Sequence, residues 1–308
     1  MTLKGRDIVA IMDLSLEEID KVLNTARTML PIAKGEKKSK VLEGKVLSSL
    51  FFEASTRTRL SFETAMHRLG GSVITMAGQE GTSLMKGETL ADTIRMADVY
   101  SDVIAIRHPR EGAARLAASF AGHPVINGGD GAGQHPTQTL LDLFTMREEV
   151  GEIRKLHVTL VGDLKYGRTT HSLSLALSRY GATMSFVAPE TIQMPSHIVN
   201  DLKKQGASVT MTSDLKGEVQ GSDVIYMTRI QKERFPDEEE YRKVAGAYKL
   251  DLKMLEDAKK RMIVMHPLPR VDEIHPEVDS TPHAKYFKQA FNGVPVRMAV
   301  LKLLMGGS

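Results

Sequence analysis

The strongest constraint in this chain is a rhythm. Short β-rich runs alternate with helical patterns, and the series occurs twice. The first series is "KVLSSLFF", "SVITMA", "DVIAIRH" and "PVIN", separated by helical stretches that begin near Ser55, Gly87 and Glu111. A longer helical pattern, "HPTQTLLDLFTMREEV", follows. The rhythm then restarts with "LHVTLVGD", "TMSFVAP", "SVTMT", "DVIYMTR" and "MIVMHPL". Strand–helix alternation of this kind argues for parallel sheets with helices on both faces. The expected fold is α/β, with two doubly wound parallel-sheet domains joined by bridging helices, and 308 residues suffice for both. One helix, from about 135 to 150, bridges them, and the tail "KYFKQAFNGVPVRMAVLKLLM" reads as a closing helix that returns to the first domain. Near the amino terminus, "SLEEIDKVLNTARTML" carries a capping box of Ser15 and Glu18, with apolar residues at 16, 19, 22, 23, 26 and 30. Pro31 is expected to close that helix.

Composition excludes several classes. Hydrophobic residues make up 42% and charged residues 26%, as in soluble globular chains. The formal net charge of +3 is mildly basic, and the one basic cluster, "KGEKKSK" at 34–40, reads as a solvated loop. With 5% aromatic residues, no tryptophan and no binding motif, nucleic acid is not an expected partner. The absence of cysteine removes disulfides, thiolate catalysis and thiolate metal ligands. His67, His157, His197 and His283 lack metal-ligand spacing, so no metal is expected. No apolar segment has spanning length and the amino terminus is not signal-like, so a cytoplasmic protein without membrane association is expected. Met96, Met254 and Met298 fall at core spacing, and "KERFPDEEEYRK" reads mainly as a solvent-facing loop.

In α/β domains ligands gather at the carboxyl ends of strands, which selects the polar clusters worth weighing. "EASTRT" directly follows the first strand. Ser55 stands where an N-cap belongs, and the unpaired amides and partial positive charge of a helix start favour an anion, phosphate above all. The hydroxyls of Ser55, Thr56 and Thr58 add donors, and Arg57 adds a fork matched to phosphate oxygens. Taken alone, the same residues also fit a well-capped helix with two surface arginines. Five further strand ends weigh toward a site. Arg107 and His108 form an expected charged pair after "DVIAI". A flexible glycine-rich loop, "NGGDGAGQ", delivers His135 and Gln138 to the next helix start, where Pro136 suits the first turn. "VGDLKYGRTTHS" brings Arg168 to a helix start, and "RIQKERF" carries Arg229, Gln231 and Arg234. "HPLPR" holds the rigid Leu268–Pro269 pair.

Together, "FFEASTRTRLSFETAMHRLGG", "TSLMKGETLADT", "HPTQTLLDL", "GDLKYGRTTHSL", "TRIQKERF" and "MHPLPRVDEI" closely resemble the catalytic chains of the aspartate carbamoyltransferase family, in order and along nearly the whole chain. That family joins carbamoyl phosphate to L-aspartate in pyrimidine biosynthesis and needs no metal or other cofactor. The resemblance implies that residues 1–137 with 288–308 bind carbamoyl phosphate and that residues 150–287 bind L-aspartate. It implies that Ser55, Thr56, Arg57 and Thr58 hold the phosphate, and that Thr58, Arg107 and His135 surround the carbonyl oxygen. By the same resemblance, Gln138 and the backbone carbonyls of Leu268 and Pro269 hold the carbamoyl nitrogen. Arg168, Arg229 and Gln231 would take the carboxylates of aspartate, which needs more than one cation. Glu53 and Arg234, with Arg168 as shared partner, would hold the closed form of the domains. Ser83 and Lys86 lie in a loop with glycines at 78, 81 and 87, and the resemblance implies that this loop would enter a neighbouring copy's site, with Lys86 serving both substrates. This implies a homotrimer with shared active sites, and leaves open a separate zinc-containing regulatory chain. Met85 stands where the best-known bacterial form has a second lysine, and the block is one residue shorter.

Three competitors remain weaker. An ornithine carbamoyltransferase shares S-T-R-T-R and H-P-x-Q, but typically carries H-C-L-P where this chain reads "HPLP". A P-loop enzyme would need lysine where "GDLKYGRT" has Arg168. A nucleic-acid binder is suggested only by a pI near 8.9.

Overall fold

The computed structural model describes residues 2–78, 83–230, 235 and 237–306, with backbone alone at 83 and 84. It divides into two compact units, Met1–Phe144 with Phe291–Ser308, and Thr145–Ala290. The helices are α1 (Leu16–Ala33), α2 (Thr56–Arg68), α3 (Leu90–Tyr100), α4 (Ala113–Phe120), α5 (Pro136–Glu149), α6 (Arg168–Tyr180), α7 (Ser196–Lys204), α8 (Leu215–Gly221), α9 (Glu238–Val244), α10 (Leu252–Leu255) and α11 (Tyr286–Met305). Both α5 and α11 contain residues of each unit.

In the first unit, β1 (Val46–Phe51), β2 (Ser72–Ala77), β3 (Val103–His108) and β4 (Val125–Asp130) form one parallel sheet in the order β2-β1-β3-β4. Side chains alternate between its faces. Leu50, Ile104 and Ile106 meet Ile94 and Ala97 of α3 and Ala114 and Ala117 of α4. On the other face the Ser49 hydroxyl donates to Glu63 of α2 at 3.2 Å. Covered on both sides, β1, β3 and β4 are buried almost throughout, whereas the edge strand β2 leaves Ser72, Ile74 and Thr75 exposed. Crossovers leave β1 on one side and reach β3 on the other, so the topological switch point lies between these two strands.

The second unit repeats the logic with β5 (His157–Val161), β6 (Thr183–Val187), β7 (Val209–Thr212), β8 (Val224–Met227) and β9 (Ile263–Met265), all parallel in the order β7-β6-β5-β8-β9. Its switch point lies between β5 and β8. One face packs Val161, Ile225, Met227 and Val264 against Leu215, Val219 and Leu255. Each of the nine β-rich runs is a strand, and no described helix is long and apolar enough to cross a membrane.

Local differences have physical causes. The α1 capping box forms as expected, with the Ser15 hydroxyl accepting from Glu18 N and the Glu18 carboxylate accepting from Ser15 N. Pro31 does not close the helix, which runs to Ala33. A proline so near the end removes one donor, while the carbonyls of Leu30 and Pro31 still accept from Lys34 and Glu36. In the stretch "KERFPDEEEYRK", expected to be mainly loop, α9 takes the last six residues. Asp237 caps that helix through Glu240 N at 2.7 Å, and three glutamates in the first turn suit the helix dipole. Met298 is core, but Met96 is 45% exposed.

Gly162, after β5, has φ +113°, and a Cβ there would lie 2.3 Å from the Thr228 carbonyl oxygen. Gly181 ends α6 at φ +75° in open space. Gly181→Ala should therefore lower stability by about 1 kcal/mol, the left-handed penalty alone. Gly162→Ala should lower it by clearly more, visible in thermal unfolding as the larger drop in Tm; equal drops would refute the steric account.

Candidate active site

The first cluster forms at the carboxyl ends of β1 and β3. Phe51 pairs with Arg107 in register, and Phe52 N donates to the Arg107 carbonyl at 2.8 Å. The chain after β1 therefore starts beside the Arg107 backbone. Across the switch point, Arg107 Nη2 lies 2.9 Å from Glu53 Oε2, and Nη1 donates to the Gly128 carbonyl at 3.1 Å. Glu53, expected in a closure pair with Arg168, is thus ion-paired to Arg107 within its own unit. His108 is no second cation. Burial pushes its pKa down, its Nδ1 accepts from Arg110 N at 3.0 Å, and its ring meets Phe52 edge-on. The expected charged pair reduces to one arginine.

Ser55 occupies the N-cap position of α2, but its side chain makes no capping hydrogen bond. The first turn carries no acidic residue, Thr56 and Arg57 are exposed, and Thr58 is buried. An uncapped helix start with hydroxyls and a cation attracts an anion through amides, dipole and charge together. The glycine-rich segment, whose residues 127–130 are the end of β4, is tied down, contrary to the flexibility expected of it. Asn127 Oδ1 accepts from Gly129 N at 2.7 Å, and Asn127 Nδ2 donates to Asp130 Oδ1 at 2.9 Å. Asp130 also accepts from Gln134 N at 2.7 Å and Gly112 N at 2.9 Å. This framework delivers His135 and Gln138, both buried, to the start of α5. Gln138 Nε2 donates to Asp142 Oδ1 at 2.9 Å, so Oε1 is the amide atom turned to accept. Lys86 is exposed at the end of a short 3₁₀ turn, Ser83–Lys86. The Ser83 side chain, Gln231 and Arg234 lie outside the described residues.

A second cluster forms at the carboxyl ends of β5, β8 and β9. Thr228 N donates to the Val161 carbonyl at 2.8 Å, bringing Arg229, half-buried, beside the β5–α6 turn. Arg168, buried, is the first residue of α6, and Asp163 Oδ1 shapes the turn before it by accepting from Tyr166 N at 2.9 Å. A recess here is lined by Gly162, Thr228, Ile230, Tyr241, Tyr248 and Glu273. After β9, Leu268 sits at φ +58°, a left-handed conformation disfavoured for leucine, and its bond to Pro269 is cis. A left-handed backbone at a non-glycine residue persists where its surroundings impose it. Here they do, because His266 Nδ1 accepts from Leu268 N at 2.8 Å and Nε2 donates to Glu273 Oε1 at 2.6 Å. Glu273 Oε2 further accepts from Val271 N and Asp272 N, each at 3.0 Å. The expectations from sequence named neither His266, Glu273, Asn127 nor Asp130. Their signal lies in bonds to backbone amides and in short side-chain pairs, Asn127 with Asp130 and His266 with Glu273, that follow no periodic pattern.

Two predictions follow from this geometry. A capping serine would lose about 1 kcal/mol on truncation. Ser55→Ala should change unfolding stability by less than about 0.5 kcal/mol, while weakening inorganic phosphate binding in calorimetry; a full capping loss with unchanged phosphate affinity would reverse the assignment. Burial alone would raise the Glu273 pKa, but the hydrogen bonds from His266 and the backbone hold it down, at about 2. A depressed carboxylate stabilises the fold above its unfolded value, about 4.5, and that contribution is lost as pH falls toward about 2. Glu273→Gln should flatten this part of the acid-unfolding curve, and an unchanged slope would show that the pair is not coupled to folding.

Two family models cover the chain. "Aspartate/ornithine carbamoyltransferase, carbamoyl-P binding domain" matches residues 6–148, and "Aspartate/ornithine carbamoyltransferase, Asp/Orn binding domain" matches residues 154–304. The aspartate carbamoyltransferase catalytic subunit of Thermococcus kodakarensis is 57% identical over 306 residues, 99% of each chain. That of Archaeoglobus fulgidus is 56% identical, covering 97% of this chain and 99% of its own. Among solved structures, the catalytic subunit of M. jannaschii aspartate transcarbamoylase superposes with TM-score 0.91 at 51% identity, covering 98% of each chain. Aspartate transcarbamoylase from Trypanosoma cruzi, in complex with carbamoyl phosphate and aspartate, gives 0.93 at 42% identity, again over 98% of each chain. With both halves matched and more than half of all residues shared along nearly the full length, the chain belongs to the aspartate/ornithine carbamoyltransferase family, among the aspartate carbamoyltransferase catalytic chains.

Proposed function

We propose that the chain transfers the carbamoyl group of carbamoyl phosphate to the amino group of L-aspartate, giving N-carbamoyl-L-aspartate and phosphate. The observation that carries this reading is the start of α2, where an uncapped Ser55, a first turn without acids and neighbouring Arg107 favour an anionic leaving group. The full-length kinship to aspartate carbamoyltransferases supports it independently.

The chemistry accounts for the residue types. The aspartate amine attacks the carbonyl carbon, a C–N bond forms, and negative charge gathers on the carbonyl oxygen. The C–O bond to phosphate then breaks and the amine loses a proton. Thr58, Arg107 and His135 are the assigned donors to that oxygen, and loss of one such donor costs about 10²–10³ in rate. Ser55, Thr56, Arg57 and Thr58 take the phosphate. Gln138 Oε1 and the carbonyl oxygens of Leu268 and Pro269 accept from the carbamoyl nitrogen. Arg168, Arg229 and Gln231 take the two carboxylates of aspartate, and holding both substrates in attack geometry supplies much of the remaining acceleration.

The same reading includes a homotrimer in which Ser83 and Lys86 of one copy complete the site of the next; the exposure of Lys86 on a short turn supports it. A separate regulatory chain remains part of the reading, since the relatives are named catalytic subunits.

The test is product formation by the purified chain with carbamoyl phosphate, comparing L-aspartate with L-ornithine and adding no metal. Turnover of aspartate alone is expected. Turnover of ornithine would keep the phosphate site and overturn the roles of Arg168 and Arg229; silence with both would overturn the reaction. Arg107→Ala should lower kcat by about 10²–10³. Mixing inactive Arg57→Ala and Lys86→Ala chains after gentle dissociation should restore activity if sites are shared, and persistent inactivity would refute the sharing.

A further inference from the structure

Arg297 is a charge in an apolar helix that none of the assigned roles uses. Only 2% exposed, it lies in α11 with its guanidinium 4.8 Å above the Phe62 ring, and its Nη2 donates to Thr137 Oγ1 at 3.2 Å. Space for it is built in, because a Cβ on Gly293, one turn earlier, would lie 2.3 Å from Arg297 Nη1. Burial pulls its pKa down to about 9, the negative charge of Asp142 opposing this and Arg107 adding to it. It is therefore a cation at neutral pH. Asp142 is fully buried, on α5 one turn after Gln138, and its Oδ1 accepts from Gln138 Nε2 at 2.9 Å. Thr137 and Gln138 are neighbours in the first turn of α5.

A buried carboxylate is kept only where hydrogen bonds or a countercharge compensate its lost water. Here the carboxylate holds one end of a side-chain amide, and an amide can otherwise present either O or N. We infer that Asp142 is a positioning residue for carbamoyl transfer, with the buried Arg297 bonded to Thr137 in the same first turn of α5: Asp142 holds the Gln138 amide with Oε1 toward the carbamoyl nitrogen, and so lets the site recognise the carbamoyl –NH2 group. The inference rests on the reaction proposed above and names the source of its selectivity for the –NH2 group.

The experiment compares carbamoyl phosphate with acetyl phosphate, which carries a methyl in place of that –NH2. The wild-type chain is measured first, for turnover of carbamoyl phosphate and inhibition by acetyl phosphate. No turnover there overturns the reaction itself, before any variant is involved. Given turnover, Asp142→Asn should raise KM for carbamoyl phosphate about 10-fold while the inhibition constant of acetyl phosphate moves less than about twofold. Adding Asp142→Asn to Gln138→Ala should bring no further loss of discrimination. A purely structural role would weaken both ligands alike, and that result, or unchanged discrimination, overturns the inference. Should Asp142→Asn fail to fold, Asp142→Asn/Arg297→Gln, which removes both buried charges together, carries the same readout.

Discussion

A parallel sheet covered by helices on both faces leaves its polar chemistry few places to emerge. The strands β1, β3 and β4 are buried almost from end to end, as are β5 and β8 in the other unit. Crossovers that diverge at a switch point open the surface at the carboxyl ends of two neighbouring strands. In the first unit those are β1 and β3, and Glu53, Ser55, Arg107 and the start of α2 all follow from them. In the second they are β5 and β8, with Arg168 and Arg229 in the equivalent places. The two units solve one topological problem twice, each with a helix start and arginines at its mouth, and the first with hydroxyls besides.

The polar groups at these mouths are held by other polar groups, and the bonds are local. Asn127 and Asp130 fold the glycine-rich segment onto itself, so that His135 and Gln138 start α5 in fixed places. His266 and Glu273 impose the turn at Leu268. A buried polar group left without a partner costs on the order of 1–3 kcal/mol, so each of these networks is paired atom by atom. Orientation of the candidate site groups is therefore a by-product of satisfying the groups behind them.

The fold was largely legible in the residues, because hydrophobic periodicity reports which faces are covered. All nine strands lie where β-rich runs predicted them, and the Ser15–Glu18 box starts α1. The failures came from effects without period. Pro31 sits late enough in α1 to remove one donor without breaking the last turn, and α9 is stabilised by Asp237 and the dipole more than by an apolar face. Met96 has the spacing of a core residue on a helix that buries Thr93, Ile94 and Ala97 instead. The candidate site was legible in its residue types and in their place after strands. Its wiring was not: Ser55 looks like a cap and does not act as one, and the neighbour of Glu53 is Arg107.

By itself, the order of residues determined the α/β alternation, the two parallel sheets and the family, since each depends on local pattern and on motifs read in register. Tertiary structure decided which charges act as charges and which atoms face outward. Burial removes His108 as a cation, leaves Arg297 one, and turns the Gln138 amide by way of Asp142. Such outcomes depend on desolvation and on partners up to 160 positions apart, as Thr137 and Arg297 are. Spacing alone does not settle them, even for the one-turn pair Gln138 and Asp142, because the energy of a buried polar group is set by what folding places beside it.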